Sequence, residues 1–595
     1  MAKTALGWQI PAMVREATGH LEAGRQIEAL ALYERALAAS PRDAGTLFAF
    51  GSLALRLGDA ARAATYLRQA VKRSRNNPTY HLQLGNAFLA LGRLDDAAAA
   101  VRRAIEGAPD LAEAHCNLGC ILVRQGDAAA AIPHLERAVA IDPRLAMAHQ
   151  NLGSALFRQG RISDACGNFG HAIASDPNLA PAYAGFLMCL HFLPDVGYGL
   201  IADTARRWSR LLPRPTQYPA PANTTVPDRR LRIGYVSADY RNHAVAHFLE
   251  NVFAAHDRSA IELICYSNTR DEDATTLRFK SLVDGWRSIV ALDDAAAAAL
   301  IRADGIDILV DLSGHTEGER LAVFASKPAP IQCTWLGYYA TTGLPEIDYI
   351  IADRLVLPAE HEALYSEKPY RLPDSYLCFT PPNLPVAVNE LPALRNGYIT
   401  FGSCNNVLKL NKRVIDLWSQ LLLAIPQARL VLRHGFLSVA AVREEIARQF
   451  ADSGLAADCL DLRPGTDRAG LLATYNDIDI ALDPFPYGGG TTTVEALWMG
   501  VPVINLHGDR FCGRVSESML TTVGLPGLVA PDAAAYVATA SALAADLASL
   551  AALRGQLRAM VVGSPLCDAD RFTRNLESAY RSMWRRWCAS KEQAA

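Results

Sequence analysis

A chain of 595 residues is too long for one hydrophobic core and implies about two to four domains. Its 58 Lys+Arg against 61 Asp+Glu leave a net charge of −3, which supplies no basic field for nucleic acid. A hydrophobic share of 50% with 20% charged residues is a globular balance. No run of about eighteen uncharged apolar residues marks a membrane span; even Ala-rich "AAAYVATASALAADLASLAAL" (533–553) carries aspartate and reads as a surface helix. The first twenty residues lack the apolar core of a signal peptide. The twelve cysteines show no paired spacing, so a reducing cytoplasm is expected.

The N-terminal part keeps a period of 34. Gly24, Gly58, Gly92, Gly126 and Gly160 share one phase, and Ala29, Ala63, Ala97, Ala131 and Ala165 a second. Ala36 through Ala172 hold a third, and Gly51, Gly85, Gly119 and Gly153 a fourth. Pro41, Pro109, Pro143 and Pro177 follow the same ruler, broken once by Arg75. This pattern is similar to tetratricopeptide repeats: two antiparallel helices per unit, small residues at their contact, glycine in the turn, and "DP" ending the second helix. Each unit buries its apolar face only on its neighbours, so a solenoid is expected over 1–195. Asn117 and Asn151, each before "LG", follow Gln83 and Ala49 in the same phase. They form a short ladder of amides suited to clamping the backbone of an extended peptide, or to helix contacts. Cys116 and Cys120 beside His115 read as small residues of this array rather than metal ligands.

The stretch 196–230 reads as a linker, with Pro-rich "LLPRPTQYPAPANTTVPDRR" at 211–230. Apolar strand-like runs follow: "LRIGYVS" (231–237), "IELICYS" (261–267), "IDILVDLSG" (306–314), "IQCTWLGY" (331–338) and "IDYIIAD" (347–353). After a second Pro-rich break at 380–397 come "YITFGS" (398–403), "ARLVLRH" (428–434), "CLDLRP" (459–464), "IDIALDPFP" (478–486) and "VPVINL" (501–506). Near-continuous apolar strands alternating with helices predict two parallel-sheet, Rossmann-like lobes over 231–385 and 396–570, with a ligand cleft at the carboxyl ends of the strands. The last segment, 571–595, predicts a helix that crosses back to the first lobe through Tyr580, Trp584 and Trp587.

"DPFPYGGGTTTVEALWMGVPVINL" (483–506) places three glycines and three threonines between a strand and a helix. Such a turn aims free N–H groups from the positive end of a helix, and glycine admits a phosphate to the backbone. Gly489, Gly490, Thr491 and Thr492 are therefore the candidate diphosphate contacts, with Glu495 one turn on for a ribose hydroxyl. The acidic triplets "DED" (271–273) and "DID" (477–479) are not taken as metal sites, the second because it leads into a buried strand.

These repeats together with "IGYVSADYRNHAVAHF", "ILVDLSGHTEG", "KPAPIQCTWLGYYATTGLPEIDYIIAD" and "DPFPYGGGTTTVEALWMGVPVI" resemble glycosyltransferase family 41, the family of protein O-linked N-acetylglucosamine transferase and plant SPINDLY. The resemblance spans about residues 20–588. It implies a GT-B fold and inverting transfer of a sugar, without a metal or other cofactor, from a nucleotide sugar to Ser or Thr of a protein presented by the repeats. By the same resemblance His243 lies near the anomeric centre, Asn406, Lys409, Thr491 and Thr492 around the diphosphate, Glu495 on the ribose, and Arg468 elsewhere in the donor site. A departing diphosphate without a metal needs a cation, and Lys409 supplies one. His315 and Asp374 are further cleft candidates; His247 reads as structural. The N-acetylglucosamine enzymes carry histidines where this chain has Gly490 and Leu471, and several stretches lie nearer to SPINDLY, for which GDP-fucose is implied. The donor is thus UDP-N-acetylglucosamine first, GDP-fucose or another nucleotide sugar of a flagellin-type bacterial enzyme second. A repeat scaffold with an inactive transferase fold and a nucleotide-sugar epimerase are the rival classes. The oligomeric state has no signature in the sequence.

Overall fold

The computed structural model describes residues 10–22, 25–215 and 223–594; Gly24 and the middle of the Pro-rich strap (216–222) lie outside them. The chain divides into two compact units, one ending at Phe186 and one beginning at Leu187.

The first unit is a run of helical hairpins, such as Ala44–Arg56 with Ala60–Arg73 and Ala112–Arg124 with Ala128–Ile141. Gly58, Gly92, Gly126 and Gly160 make the turns at φ between +72° and +88°, the left-handed region that glycine enters without a Cβ penalty. The second glycine phase has a different cause. A Cβ on Gly51, Gly85, Gly119 or Gly153 would lie 2.7, 2.5, 2.4 or 3.0 Å from Leu67, Val101, Leu135 or Phe169, the large residue sixteen positions on. Glycine on one helix is thus the socket for an apolar knob on the next. A third element was not read from the sequence. His81, His115 and His149 each donate from Nε2 to a carbonyl six residues back, on Arg75, Pro109 and Pro143, at 2.7–3.0 Å; Tyr183 does the same to Pro177 at 3.1 Å. The remaining nitrogen of His115 meets His134 Nδ1 at 3.2 Å, while Cys116 Sγ accepts from the Asn151 amide.

The second unit holds two all-parallel sheets. The first contains β1 (Leu231–Ser237), β2 (Ile261–Ser267), β3 (Gly285–Ser288), β4 (Ile308–Asp311), β5 (Ile331–Thr334), β6 (Tyr349–Ala352) and β7 (Lys368–Arg371), in the order β3-β2-β1-β4-β5-β6-β7. β1 and β2 pair from Leu231 opposite Ile261 to Ser237 opposite Ser267. The second contains β8 (Thr400–Ser403), β9 (Arg429–His434), β10 (Leu460–Pro464), β11 (Ile480–Leu482), β12 (Val503–Leu506) and β13 (Val529–Ala530), in the order β10-β9-β8-β11-β12-β13. Each is the doubly wound arrangement expected of buried apolar strands joined by crossover helices.

Two regions differ from the sequence reading. The stretch taken as linker contains the helix Tyr198–Ser209. Arg510, buried on the second lobe, donates to the carbonyls of Leu190, Leu193 and Val196, so the residues just before that helix belong with the α/β unit rather than the repeats. The stretch 533–553 is part of two helices, Ala533–Ala545 and Leu547–Gly563, bent by 96° where Asp546 caps the second. Among the described residues no single helix is long and apolar enough to cross a membrane.

The last helix, Ala569–Ala594, lies on the first lobe. Tyr580 and Tyr235 share a hydrogen bond of 2.8 Å, His256 meets Glu577 at 2.9 Å, and the Trp584 indole donates to Val226. Trp587 stacks on Trp584 and stays half-buried. Arg554 pins the second lobe in a comparable way. Its fully buried guanidinium donates to Asn389, to the Ile478 carbonyl and to the Tyr475 carbonyl. Arg554→Met leaves these acceptors buried without a donor, and thermal or denaturant unfolding is expected to show a loss of about 3 kcal/mol or more.

Candidate active site

The glycine-rich loop runs from Asp483, just past β11, to the helix Thr491–Trp498. Its shape is set by Asp483, which is buried. One carboxylate oxygen accepts the Gly489 N–H at 2.7 Å and the other the Asn505 amide at 2.9 Å. A Cβ on Gly488 would lie 2.8 Å from this carboxylate, and one on Gly489 only 2.2 Å from Thr493 Oγ1. These two glycines are required by the loop's own close contacts. A Cβ on Gly490 would meet the Tyr339 hydroxyl at 3.1 Å, a less severe contact than those at Gly488 and Gly489. Gly490 is also the N-cap of the helix and supplies no side chain to its first N–H groups.

Lys409 sits beneath the loop. Its ammonium donates to the Gly488 carbonyl at 2.6 Å and to Asn405 Oδ1 at 3.0 Å, and lies 4.4 Å from the centre of the Tyr487 ring. Burial pushes its pKa down to about 8, with Asp483 opposing the shift. Asn405 Oδ1 also accepts from Thr492 Oγ1 at 3.0 Å, so one amide ties the lysine to the helix N-terminus. Glu495, one turn on, is buried and its carboxyl is raised to about 7 by burial, against the pull of Arg468 at 3.3 Å. Arg468 Nη2 is buried with no acceptor among the described residues.

The first lobe supplies the opposing wall. His243 follows β1; its Nδ1 is 3.6 Å from Asp239, and its side chain is 41% exposed, enough to meet a substrate. Burial lowers its pKa, and Asp239 counteracts this. His247, one helical turn on, is pushed down to about 3 by burial and by the nearby Arg468 and His243. His247 thus lies near both His243 and Arg468, and Arg468 in turn pairs with the buried Glu495.

Other expected residues fall elsewhere. Asn406 uses its carbonyl oxygen to cap the short turn at Leu408, and its neighbour Asn405 holds the network described above. Asp374 forms a two-pronged ion pair with Arg571 at 2.6 and 2.8 Å, which fastens the last helix and takes its carboxylate out of the cleft. His315 is buried against Trp208 and Tyr338, with Nε2–H donated to the Thr342 carbonyl, and is pushed down to about 4 by burial. In the repeats, Asn117 donates to Asn86 at 2.7 Å and stays half-buried, whereas Asn151 is buried and donates to Cys116. Asn405, Asp483, Tyr487 and Tyr339 were missed. Only "NN" in "CNNVLK" and the aspartate opening the glycine loop gave a signal for any of them.

Two parallel-sheet lobes with a basic, glycine-lined cleft at the strand ends define a GT-B-type nucleotide-sugar fold. Comparison with known proteins agrees. A family model described as glycosyl transferase family 41 matches residues 210–381 and 379–576, and a tetratricopeptide-repeat model matches 48–112 and 116–178. Over 411 residues the chain is 42% identical to a rice (Oryza sativa subsp. japonica) protein described as a probable UDP-N-acetylglucosamine–peptide N-acetylglucosaminyltransferase SPINDLY. That match covers 68% of this chain and 44% of the relative. An Arabidopsis thaliana protein described as a probable enzyme of the same kind, SEC, is 32% identical over 61% of this chain and 38% of its own length. A solved structure of a Thermobaculum terrenum O-GlcNAc transferase mutant matches with a TM-score of 0.77 at 39% identity, covering 86% of this chain and 98% of that one. The chain belongs to glycosyl transferase family 41. It spans less than half the length of the plant relatives it matches.

Proposed function

We propose that this protein is an inverting protein O-glycosyltransferase, which moves a sugar from a nucleotide sugar to Ser or Thr of a polypeptide held by the repeats. The observation that carries the reading is Lys409: a buried ammonium directly under a glycine loop and a helix N-terminus. A leaving nucleoside diphosphate builds negative charge, and preorganised cations and N–H groups in a dry site stabilise it most. Lys409 takes the role a metal would otherwise fill, Arg468 and Glu495 hold the nucleoside end, and His243 receives or orients the acceptor hydroxyl. The half-buried Asn117 amide contributes to peptide binding on the repeats, and Asn151 supports it from within.

The donor proposed first is UDP-N-acetylglucosamine, in line with the descriptions of the relatives. GDP-fucose is the second reading, favoured by glycine and leucine at positions 490 and 471. Thermal-shift titration with UDP, GDP and CMP, with Lys409→Ala as control, tests both. Stabilisation by UDP alone, lost in the variant, supports the first reading; by GDP alone, the second; by CMP alone, neither. No response to any nucleotide favours the inactive scaffold, and release of a free altered sugar without protein labelling favours the epimerase.

The depressed lysine adds a pH signature. An anionic diphosphate needs the ammonium, and the free protein loses that proton as pH rises through about 8. Affinity is therefore expected to weaken by up to about tenfold per unit above that pH. Calorimetric titration across pH checks this, with Lys409→Arg expected to abolish the dependence.

A further inference from the structure

With a nucleoside diphosphate against the loop, as proposed above, one group facing it has no role yet. Tyr339 lies after β5 on the first lobe. Its ring is nearly parallel to Phe511, at 6° and 5.9 Å between centroids, and meets Tyr487 edge-on at 78° and 6.0 Å. Aromatic neighbours on two sides fix where the phenol points. It points at Gly490: a Cβ there would meet the Tyr339 hydroxyl at 3.1 Å, a close contact, with Val515 Cγ1 next at 3.9 Å. The hydroxyl has no hydrogen-bond partner among the described residues, and burial pushes its pKa up to about 12, so it keeps its proton. A neutral O–H from one lobe thus ends at the N-cap of a helix on the other, where the cap residue itself has no side chain.

We propose that the Tyr339 hydroxyl donates a hydrogen bond to the distal phosphate of the bound nucleoside diphosphate, supplying from the first lobe the contact that glycine at the N-cap leaves open. The phosphate then joins the two lobes, held by Lys409 from below and Tyr339 from above. Selection of a diphosphate over a monophosphate follows, because only the distal phosphate reaches this hydroxyl.

Tyr339→Phe removes the oxygen and keeps the ring between Phe511 and Tyr487. Calorimetric titration compares UDP with UMP, or GDP with GMP if guanine is the base selected. A hydrogen bond to a charged oxygen predicts about a tenfold or greater loss of diphosphate affinity in Tyr339→Phe, with monophosphate affinity and melting temperature unchanged. Gly490→Ala, whose Cβ crowds the same hydroxyl, is expected to show the same selective loss. Unchanged diphosphate affinity in Tyr339→Phe, or equal weakening of both nucleotides, overturns the assignment. If Lys409→Ala loses the diphosphate while Tyr339→Phe keeps it, the tyrosine assignment alone fails. If the wild-type protein binds no diphosphate at all, the donor-site reading fails and takes the tyrosine with it.

Discussion

Lys409→Ala is expected to lower sugar transfer by about 10²–10³-fold, the usual effect of removing one preorganised group from a site of developing negative charge. The fold should survive. The ammonium is buried, its pKa is already displaced by desolvation, and its acceptors are one backbone carbonyl and one amide oxygen. Its loss leaves both acceptors without that donor, an expected cost of about 1–3 kcal/mol. A collapsed rate in a variant that still unfolds cooperatively would separate chemistry from structure. A variant that transfers sugar at the wild-type rate would remove Lys409 from the mechanism.

The second large effect is expected at Gly489. An alanine there places a Cβ 2.2 Å from Thr493 Oγ1 and 2.9 Å from both Asp483 Oδ1 and Thr492 Oγ1. None of the three can move freely: Asp483 is held by Gly489 and Asn505, Thr492 by Asn405, and Thr493 by Ser516 at 2.8 Å. The loop must open, at a cost of about 1–3 kcal/mol, and the helix N-terminus loses its alignment with Lys409. Gly489→Ala should therefore lose both melting temperature and nucleotide affinity. Gly490→Ala, one residue on, should keep its melting temperature. Equal stability losses in the two variants would refute the division of labour drawn between these glycines.

The repeats and both lobes were legible because their signals are periodic and strong: a 34-residue ruler and buried apolar strands. β3, β7 and β13 were not. "GWRS" and "KPYR" lie at the two edges of their sheet and are half-exposed, so they need no apolar run, and the last strand is two residues long. The helix Tyr198–Ser209 escaped because the Pro-rich run after it dominated the reading. The glycine loop was found, but the reason for its glycines was not. A sequence cannot show that Asp483 folds back under them. Nor can it tell which of two adjacent asparagines turns inward; geometry gives that place to Asn405. The pairing of Asp374 was not legible because its partner, Arg571, is almost two hundred residues away.

The turn clamps of the repeats, His81, His115, His149 and Tyr183, each reach six residues back, and each socket glycine meets its knob sixteen residues on. Both spans close within a 34-residue period. Length in this array is therefore quantised. Genetic gain or loss of 34 residues, or a multiple of it, preserves every clamp and socket, while another increment placed within these spans breaks one. The length of the repeat array can be rewritten in whole steps, with both parallel-sheet lobes left untouched.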